Sequence, residues 1–136
     1  MSPAMSFATH EMLPAIAAGC FLVGTVLTGA RAGRPPLRNG WMITAALSAL
    51  FLAFSITTVA LEGPLGFWPN HTVNAWGNQV WFDLLLAIGA AYALVARDAA
   101  RLGMRPLLWL ILIVCTGSVG LLAMVSRYQF LKQKEV

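Results

Sequence analysis

Residues 41–61 read WMITAALSALFLAFSITTVAL, and this run contains no charged side chain. A helix needs about 20 residues to cross a hydrocarbon core roughly 30 Å thick. Lipid cannot satisfy open backbone groups, so a run of this length predicts a transmembrane helix. The run does not alternate in polarity at every second residue, which excludes a strand of a membrane barrel.

Three further stretches share this character: residues 12–30, 79–96 and 106–126. Only one charged side chain, that of Asp83, falls inside them. We therefore predict an all-α integral membrane protein, an antiparallel four-helix transmembrane bundle with short loops. At 136 residues, the chain has the length of a single domain covering residues 1–136.

The composition excludes two other classes of protein. Hydrophobic residues make up 59% and charged residues 10% of the chain, whereas soluble domains carry about 25% charged residues. Disordered chains are polar and charged, so disorder is excluded as well. The net charge is +4, but the basic residues follow the ends of the apolar runs instead of forming one nucleic-acid-binding face.

The basic residues also predict an orientation in the membrane. Six of them lie in the loops after the first and third predicted spans: Arg31, Arg34, Arg38, Arg97, Arg101 and Arg105. Loops rich in Arg stay in the cytoplasm, so we expect a multi-pass protein of the cell (inner) membrane with both termini outside. The other three, Arg127, Lys132 and Lys134, count against this orientation because they follow the fourth predicted span.

The segment between the second and third spans is the most distinctive part of the chain. Gly63 and Pro64 end the second span, and Asn70, Asn74 and Asn78 follow at intervals of four. This spacing predicts a short amphipathic helix that lies in the membrane interface before the third span. Its asparagine stripe would face water or a polar cavity.

Two spans carry polar or small residues on one face. In the second span, Thr44, Ser48, Ser55 and Glu62 share a face, which favours helix packing but also allows a polar lining for a ligand or proton path.

In the third span, Ala87, Ala90 and Ala91 share a face with Asp83, so we expect Asp83 to point into the bundle. A carboxylate inside a span marks a functional site or is stabilised by the nearby helix N-terminus.

The candidate binding site is an outer-side polar cluster of Glu62, His71, Asn74, Asn78 and Asp83. His10 and Glu11 fall on the same side in this topology, but the spacing of these groups is unlike any compact metal-ligand motif. We predict no metal site and no catalytic residue, and from the sequence the cofactor is unknown. Cys20 and Cys115 read as small packing residues.

Several stretches of the third and fourth spans resemble a known family. They are WFDLLL at residues 81–86, RDAARLGMR at residues 97–105, Trp109 and Arg127. They are similar to a family of small bacterial integral-membrane proteins catalogued as a domain of unknown function. The resemblance covers about half the chain and implies no activity. It implies that Asp83 has a structural or functional reason to be present.

The scarcity of ionisable residues favours a non-catalytic role. We expect an accessory subunit of a membrane complex or a hydrophobic-ligand-binding protein. The alternatives are a small proton-coupled carrier that acts as an oligomer and a membrane-embedded enzyme that modifies lipids or isoprenoids. The expected partners are membrane lipids and a larger membrane-protein complex or further copies of the chain, and no nucleic acid.

Overall fold

The computed structural model describes residues 3–135, with side chains described from Met12 onward. Over this range the chain forms helices and no strand, so the all-α prediction is confirmed. We number the helices in chain order: α1 Pro3–Ala30, α2 Trp41–Glu62, α3 Phe67–Thr72, α4 Ala75–Arg101, α5 Pro106–Thr116 and α6 Ser118–Lys134.

Three helices are long and apolar enough to cross a membrane: α1 over Met12–Ala30, α2 and α4. The chain is thus a membrane protein, as its composition predicts. The third predicted span, residues 79–96, is longer than expected, because Asn74 caps α4 one turn earlier and Gly103 stops it one turn later with φ +77°.

The prediction of a fourth span over residues 106–126 is wrong. Its first half is α5, which has 11 residues and is therefore about 16 Å long, half of a hydrocarbon core. Gly117 ends α5 with φ +61° and ψ −128°, a conformation that residues with a Cβ rarely adopt. The chain then turns back: a Cβ on Gly120 would lie 3.0 Å from the Cα of Ile113.

The helices α5 and α6 therefore form a hairpin, which we call the half-depth hairpin (residues 106–134). Its tip lies at Ile88, since a Cβ on Gly117 would be 4.0 Å from the Cδ1 of that residue, midway along α4. The C-terminal turns of α6 return to Asp98 and Arg101, because Tyr128 and Lys132 line a recess together with them. The expectation that the tail lies opposite the Arg97–Arg105 loop is therefore wrong.

The core of this unit sits around the hairpin. Ala99, Met104, Ile113 and Met124 are buried together, and the Tyr92 hydroxyl donates to the Pro106 carbonyl at 3.1 Å. Helix α6 packs against α2, α4 and α5, whereas no Cα atom of α2 lies within 8 Å of a Cα atom of α4 in the described residues. The predicted antiparallel four-helix bundle is not confirmed: within residues 37–135, the long helices α2 and α4 both pack on the hairpin.

Hydroxyl groups fasten α2 to α6. The Ser48 hydroxyl donates to the Val119 carbonyl at 2.9 Å, and the Thr44 hydroxyl donates to Gln129 at 2.8 Å. At the end of the pair, the Ser126 hydroxyl donates to the carbonyl of Trp41 at 2.9 Å. The first half of the polar stripe on α2 therefore serves helix packing, as favoured from the sequence.

The contacts divide the chain into two compact units, one ending at Pro36 and the other beginning at Leu37. The first unit contains α1, whose described side chains are exposed. The hydroxyls of Thr25 and Thr28 donate to carbonyls one turn earlier in the same helix, so they need no other partner in lipid. The second unit contains α2 to α6, and the assignment of residues 1–136 to a single domain stays a prediction.

Candidate functional site

The predicted site begins at the corner between α3 and α4. Gly77 allows the two helices to touch, because a Cβ at this position would lie 2.6 Å from the Asn70 carbonyl oxygen. The ring of Trp81 then stacks on Phe67 with centroids 5.9 Å apart and meets the edge of His71 at 4.9 Å. These contacts hold the six-residue helix α3 against the first turns of α4.

His71 is occupied by this corner. Its Nδ1 lies 2.6 Å from the Phe67 carbonyl oxygen, and a carbonyl only accepts, so Nδ1 carries the proton in this contact. One ring nitrogen is thus bonded to the backbone, and one ring edge packs on Trp81. His71 therefore has a clear structural role in joining α3 to α4.

Asn74 is a capping residue, and the prediction of a continuous asparagine stripe is wrong. Helix α3 ends at Thr72, and Asn74 has extended backbone dihedrals with φ −157° and ψ 176°. Its side chain accepts from the Gly77 N–H at 2.8 Å, and the Asn78 amide donates to the Asn74 carbonyl at 3.1 Å. Asn74 thus precedes Asn78 by four residues because it caps the first turn of α4. An N-cap residue has non-helical backbone dihedrals, so Asn74 cannot continue the face of α3 that carries Asn70.

Asp83 points away from the core, which corrects the expectation that it points into the bundle. Its side chain is exposed, as are Ala87 and Ala90. The α4 residues that pack on the hairpin are Ile88, Tyr92, Val95 and Ala99. At about 100° per residue, these lie roughly 150° around the helix from Asp83. The hairpin tip also stops near Ile88, about 7 Å along α4 from Asp83.

Glu62 lies at the end of α2 and is exposed. Among the side chains of residues 12–135, neither Glu62 nor Asp83 takes part in an ion pair or a hydrogen bond; the ion pair found there joins Arg101 to Asp98 at 3.1 Å. His10 and Glu11 lie outside the described side chains. Over the described residues, His, Cys, Asp and Glu form no group of three able to hold a metal ion.

A second cluster escaped the sequence reasoning and lies at the opposite end of the residue 37–135 unit. We call it the basic end, and its cations are Arg38, Arg97, Arg101, Arg105, Arg127, Lys132 and Lys134. The Asn39 N–H donates to Gln133 at 3.2 Å and so joins the start of α2 to the end of α6. Two features of the sequence indicate this cluster. One is the basic tail, which opposes the predicted orientation, and the other is the Thr116-Gly117-Ser118 break within an apolar run.

Aromatic rings support the lysines of the basic end. The ammonium of Lys132 donates to the Tyr128 hydroxyl at 3.0 Å, and this bond raises the pKa of Lys132 above its ordinary value. The ammonium of Lys134 lies 4.5 Å from the centre of the Phe130 ring, a cation–π arrangement. The amino groups of both lysines therefore lie close to aromatic side chains of α6.

Comparisons with known proteins give no relative. The resemblance of residues 81–127 to a family of unknown function stays a prediction. No family model matches the chain, and neither a curated protein nor a solved structure matches it.

Proposed function

We propose that this protein is a non-catalytic accessory subunit of a membrane complex, which binds its partner through one face of α4. We call this surface the Asp83 face and define it as Asp83, Ala87, Ala90 and Ala91. The observation that carries the proposal is the exposed carboxylate of Asp83 on an apolar helix, turned away from the core.

The position of Asp83 along α4 makes its exposure costly. Asp83 precedes Arg97 by 14 positions, about 21 Å of helix. With Arg97 at one interface, the carboxylate lies within a hydrocarbon core of about 30 Å. An ionisable group inside a span costs a few kcal/mol or more unless it is paired or hydrated. A partner that covers Asp83 with a polar group would remove this cost.

The charge of Asp83 favours a different protein over a second copy of this chain. A matching cation would have to lie inside a span, and residues 12–30, 41–61 and 106–126 contain no Lys, Arg or His. His71 is already bonded to Phe67 and packed on Trp81. The partner we propose therefore carries a basic or amide side chain on a transmembrane helix.

The alanines beside Asp83 support close contact with such a helix. Association of helices in lipid depends on close packing, and small residues allow the two backbones to approach. Ala87 and Ala90 are exposed one and two turns beyond Asp83. The Asp83 face thus combines a polar group that selects a partner with a smooth surface on which the partner helix can lie.

We further propose that the basic end lies in the cytoplasm and the α3–α4 corner outside, in the inner membrane of the cell. This orientation is supported by the segment from Glu62 to Gln79, which has no Lys or Arg. All seven cations of the residue 37–135 unit follow the positive-inside rule under this orientation. The Asp83 face is then nearer the outer surface.

The test is co-purification from the native membrane in mild detergent, followed by native mass spectrometry. We expect wild-type protein to bring a larger membrane protein with it. Asp83→Asn should lower the partner yield about tenfold, since pairing of a buried charge is worth well over 1 kcal/mol. Ala87→Leu should lower the yield as well, because a large side chain keeps the partner backbone away.

Two control variants sharpen this test. Ala93→Leu makes the same change about 120° around α4 from Ala87, and Asp98→Asn removes a carboxylate at the basic end. Both should retain the partner. Loss of the partner in all four variants would contradict a specific Asp83 face. A wild-type protein that purifies without a partner protein and with a bound apolar small molecule would overturn the subunit role in favour of ligand binding.

A further inference from the structure

A recess at the basic end lies between the start of α2 and the end of α6. It is lined by Asn39, Trp41, Phe130, Gln133 and Lys134. Two contacts build its wall. The rings of Trp41 and Phe130 pack in a T-shaped arrangement with centroids 5.2 Å apart, and Gln133 exchanges hydrogen bonds with Asn39 at 3.2 and 3.4 Å.

The charge of this recess differs from that of its neighbour. The recess on the other side of α6 contains two cations, Arg101 and Lys132, but also two carboxylates, Asp98 and Glu135. The recess at Trp41 contains Lys134 and two side-chain amides and is lined by no carboxylate. Of these two recesses, only the recess at Trp41 therefore offers a net positive charge to an anion.

The surroundings favour a lipid headgroup as the anion. Trp and Tyr side chains lie at the headgroup level of a bilayer, and Trp41 forms part of the recess itself. The first turn of α2 exposes the apolar side chains of Met42 and Ile43, along which an acyl chain can lie. A free anion would gain nothing from these apolar residues.

We propose that this recess binds the phosphate of an anionic phospholipid, with Lys134 as the cation that holds it. The Phe130 ring fixes the ammonium of Lys134 over the recess, and the amide pair of Asn39 and Gln133 keeps its walls together. This proposal is independent of the Asp83 face, because that face lies on α4 and no residue of α4 lines the recess.

The test is a titration of the purified full-length chain in neutral detergent, followed by native mass spectrometry of the first lipid adduct. The probes are phosphatidylglycerol, phosphatidylcholine and inorganic phosphate. Wild-type protein should bind phosphatidylglycerol more tightly than phosphatidylcholine. Lys134→Gln should weaken binding of phosphatidylglycerol about fivefold, the equivalent of about 1 kcal/mol for one cation near the surface.

Two further variants identify the recess. Lys132→Gln removes the same charge two residues away, beside the carboxylates, and should change the affinity less than twofold. Lys134→Arg keeps the charge and should retain binding. Equal weakening by Lys132→Gln and Lys134→Gln would overturn the proposal, because diffuse charge would then explain binding. So would equal affinity for the two lipids, or displacement of the lipid by millimolar inorganic phosphate.

Discussion

The two halves of the residue 37–135 unit differ in whether hydrogen bonds join one long helix to another element. Around the half-depth hairpin, Ser48, Thr44 and Ser126 each donate across to another helix. Beyond the hairpin tip, Asp83 and Glu62 are exposed, and the long helices α2 and α4 do not touch within the described residues. Where α6 lies between α2 and α4, hydroxyl groups bond from one helix to the other. Beyond the hairpin tip, the hydroxyls of Thr57 and Thr58 donate within α2, and the two carboxylates have no partner among the described side chains.

The reversal at Gly117 causes this difference. A hairpin arm of 11 residues reaches about half the depth of the hydrocarbon core. Non-helical backbone at membrane depth, such as the turn at Gly117, is tolerated only where protein or a water-filled cavity surrounds it. Ser48 of α2 and Ile88 of α4 lie next to this turn. The distal halves of α2 and α4 extend beyond the hairpin tip, and the Asp83 face lies on the side of α4 that is turned away from the hairpin.

The largest effect is expected in labelling with a membrane-impermeant maleimide, because each introduced cysteine should react from one side of the membrane and not from the other. This experiment tests whether the hairpin turns back. In a background without Cys20 and Cys115, single cysteines are introduced by Arg105→Cys, Lys134→Cys and Asn70→Cys. Because the hairpin turns back, the first two should react from the same side of oriented vesicles and the third from the other. Labelling of positions 134 and 70 from one side would show that residues 106–126 span the membrane.

A smaller effect is expected from the close contact inside the hairpin. Gly120→Ala places a Cβ 2.7 Å from the Thr116 hydroxyl and 3.0 Å from the Ile113 backbone. This overpacking should lower the free energy of unfolding by about 2 to 3 kcal/mol, measured by reversible denaturation in mixed micelles. Gly89→Ala is the control, because a Cβ there meets nothing within 4 Å. Equal stability of the two variants would contradict the tight α5–α6 contact.

The smallest effect concerns the hydrogen bond that joins α2 to the hairpin. Ser48 is 7% exposed, and Ser48→Ala leaves the Val119 carbonyl without this donor. We expect a loss of about 0.5 to 1 kcal/mol in unfolding free energy, the usual range for hydrogen bonds between membrane helices. Thr57→Ala should have almost no effect, since its hydroxyl donates to Ala53 within α2. A larger loss of unfolding free energy for Thr57→Ala than for Ser48→Ala would contradict the distinction between the part of α2 that packs on α6 and the part beyond the hairpin tip.

Composition and apolar run length were sufficient to predict the fold class and three of the helices. The length of the apolar run gave a wrong prediction of one span over residues 106–126. Two shorter helices joined at Gly117 have the same apolar character as one spanning helix. The tail cations Arg127, Lys132 and Lys134 indicate that the chain turns back within residues 106–126. They oppose the orientation predicted from the other six basic residues, and the reversal places Lys132 beside Arg101.

The site residues were predicted less well, for two physical reasons. Helical spacing puts Asn74 on a stripe with Asn70 and Asn78. Asparagine is also a common N-cap residue, and Asn74 caps α4 because α3 ends before it. Spacing likewise placed Asp83 with the small residues Ala87 and Ala90. It could not tell which face of α4 meets the core, because that depends on where the hairpin packs.

The reversal at Gly117 also has a consequence for how the chain is made. Val119 follows Ser48 by 71 residues, so a ribosome adding 5 to 20 residues per second delivers it roughly 4 to 14 s after Ser48. During that interval the hydroxyls of Thr44 and Ser48 have no α6 to meet. Insertion of α2 and its final pairing are therefore separate events, and membrane quality control has seconds in which to recognise the unpaired helix.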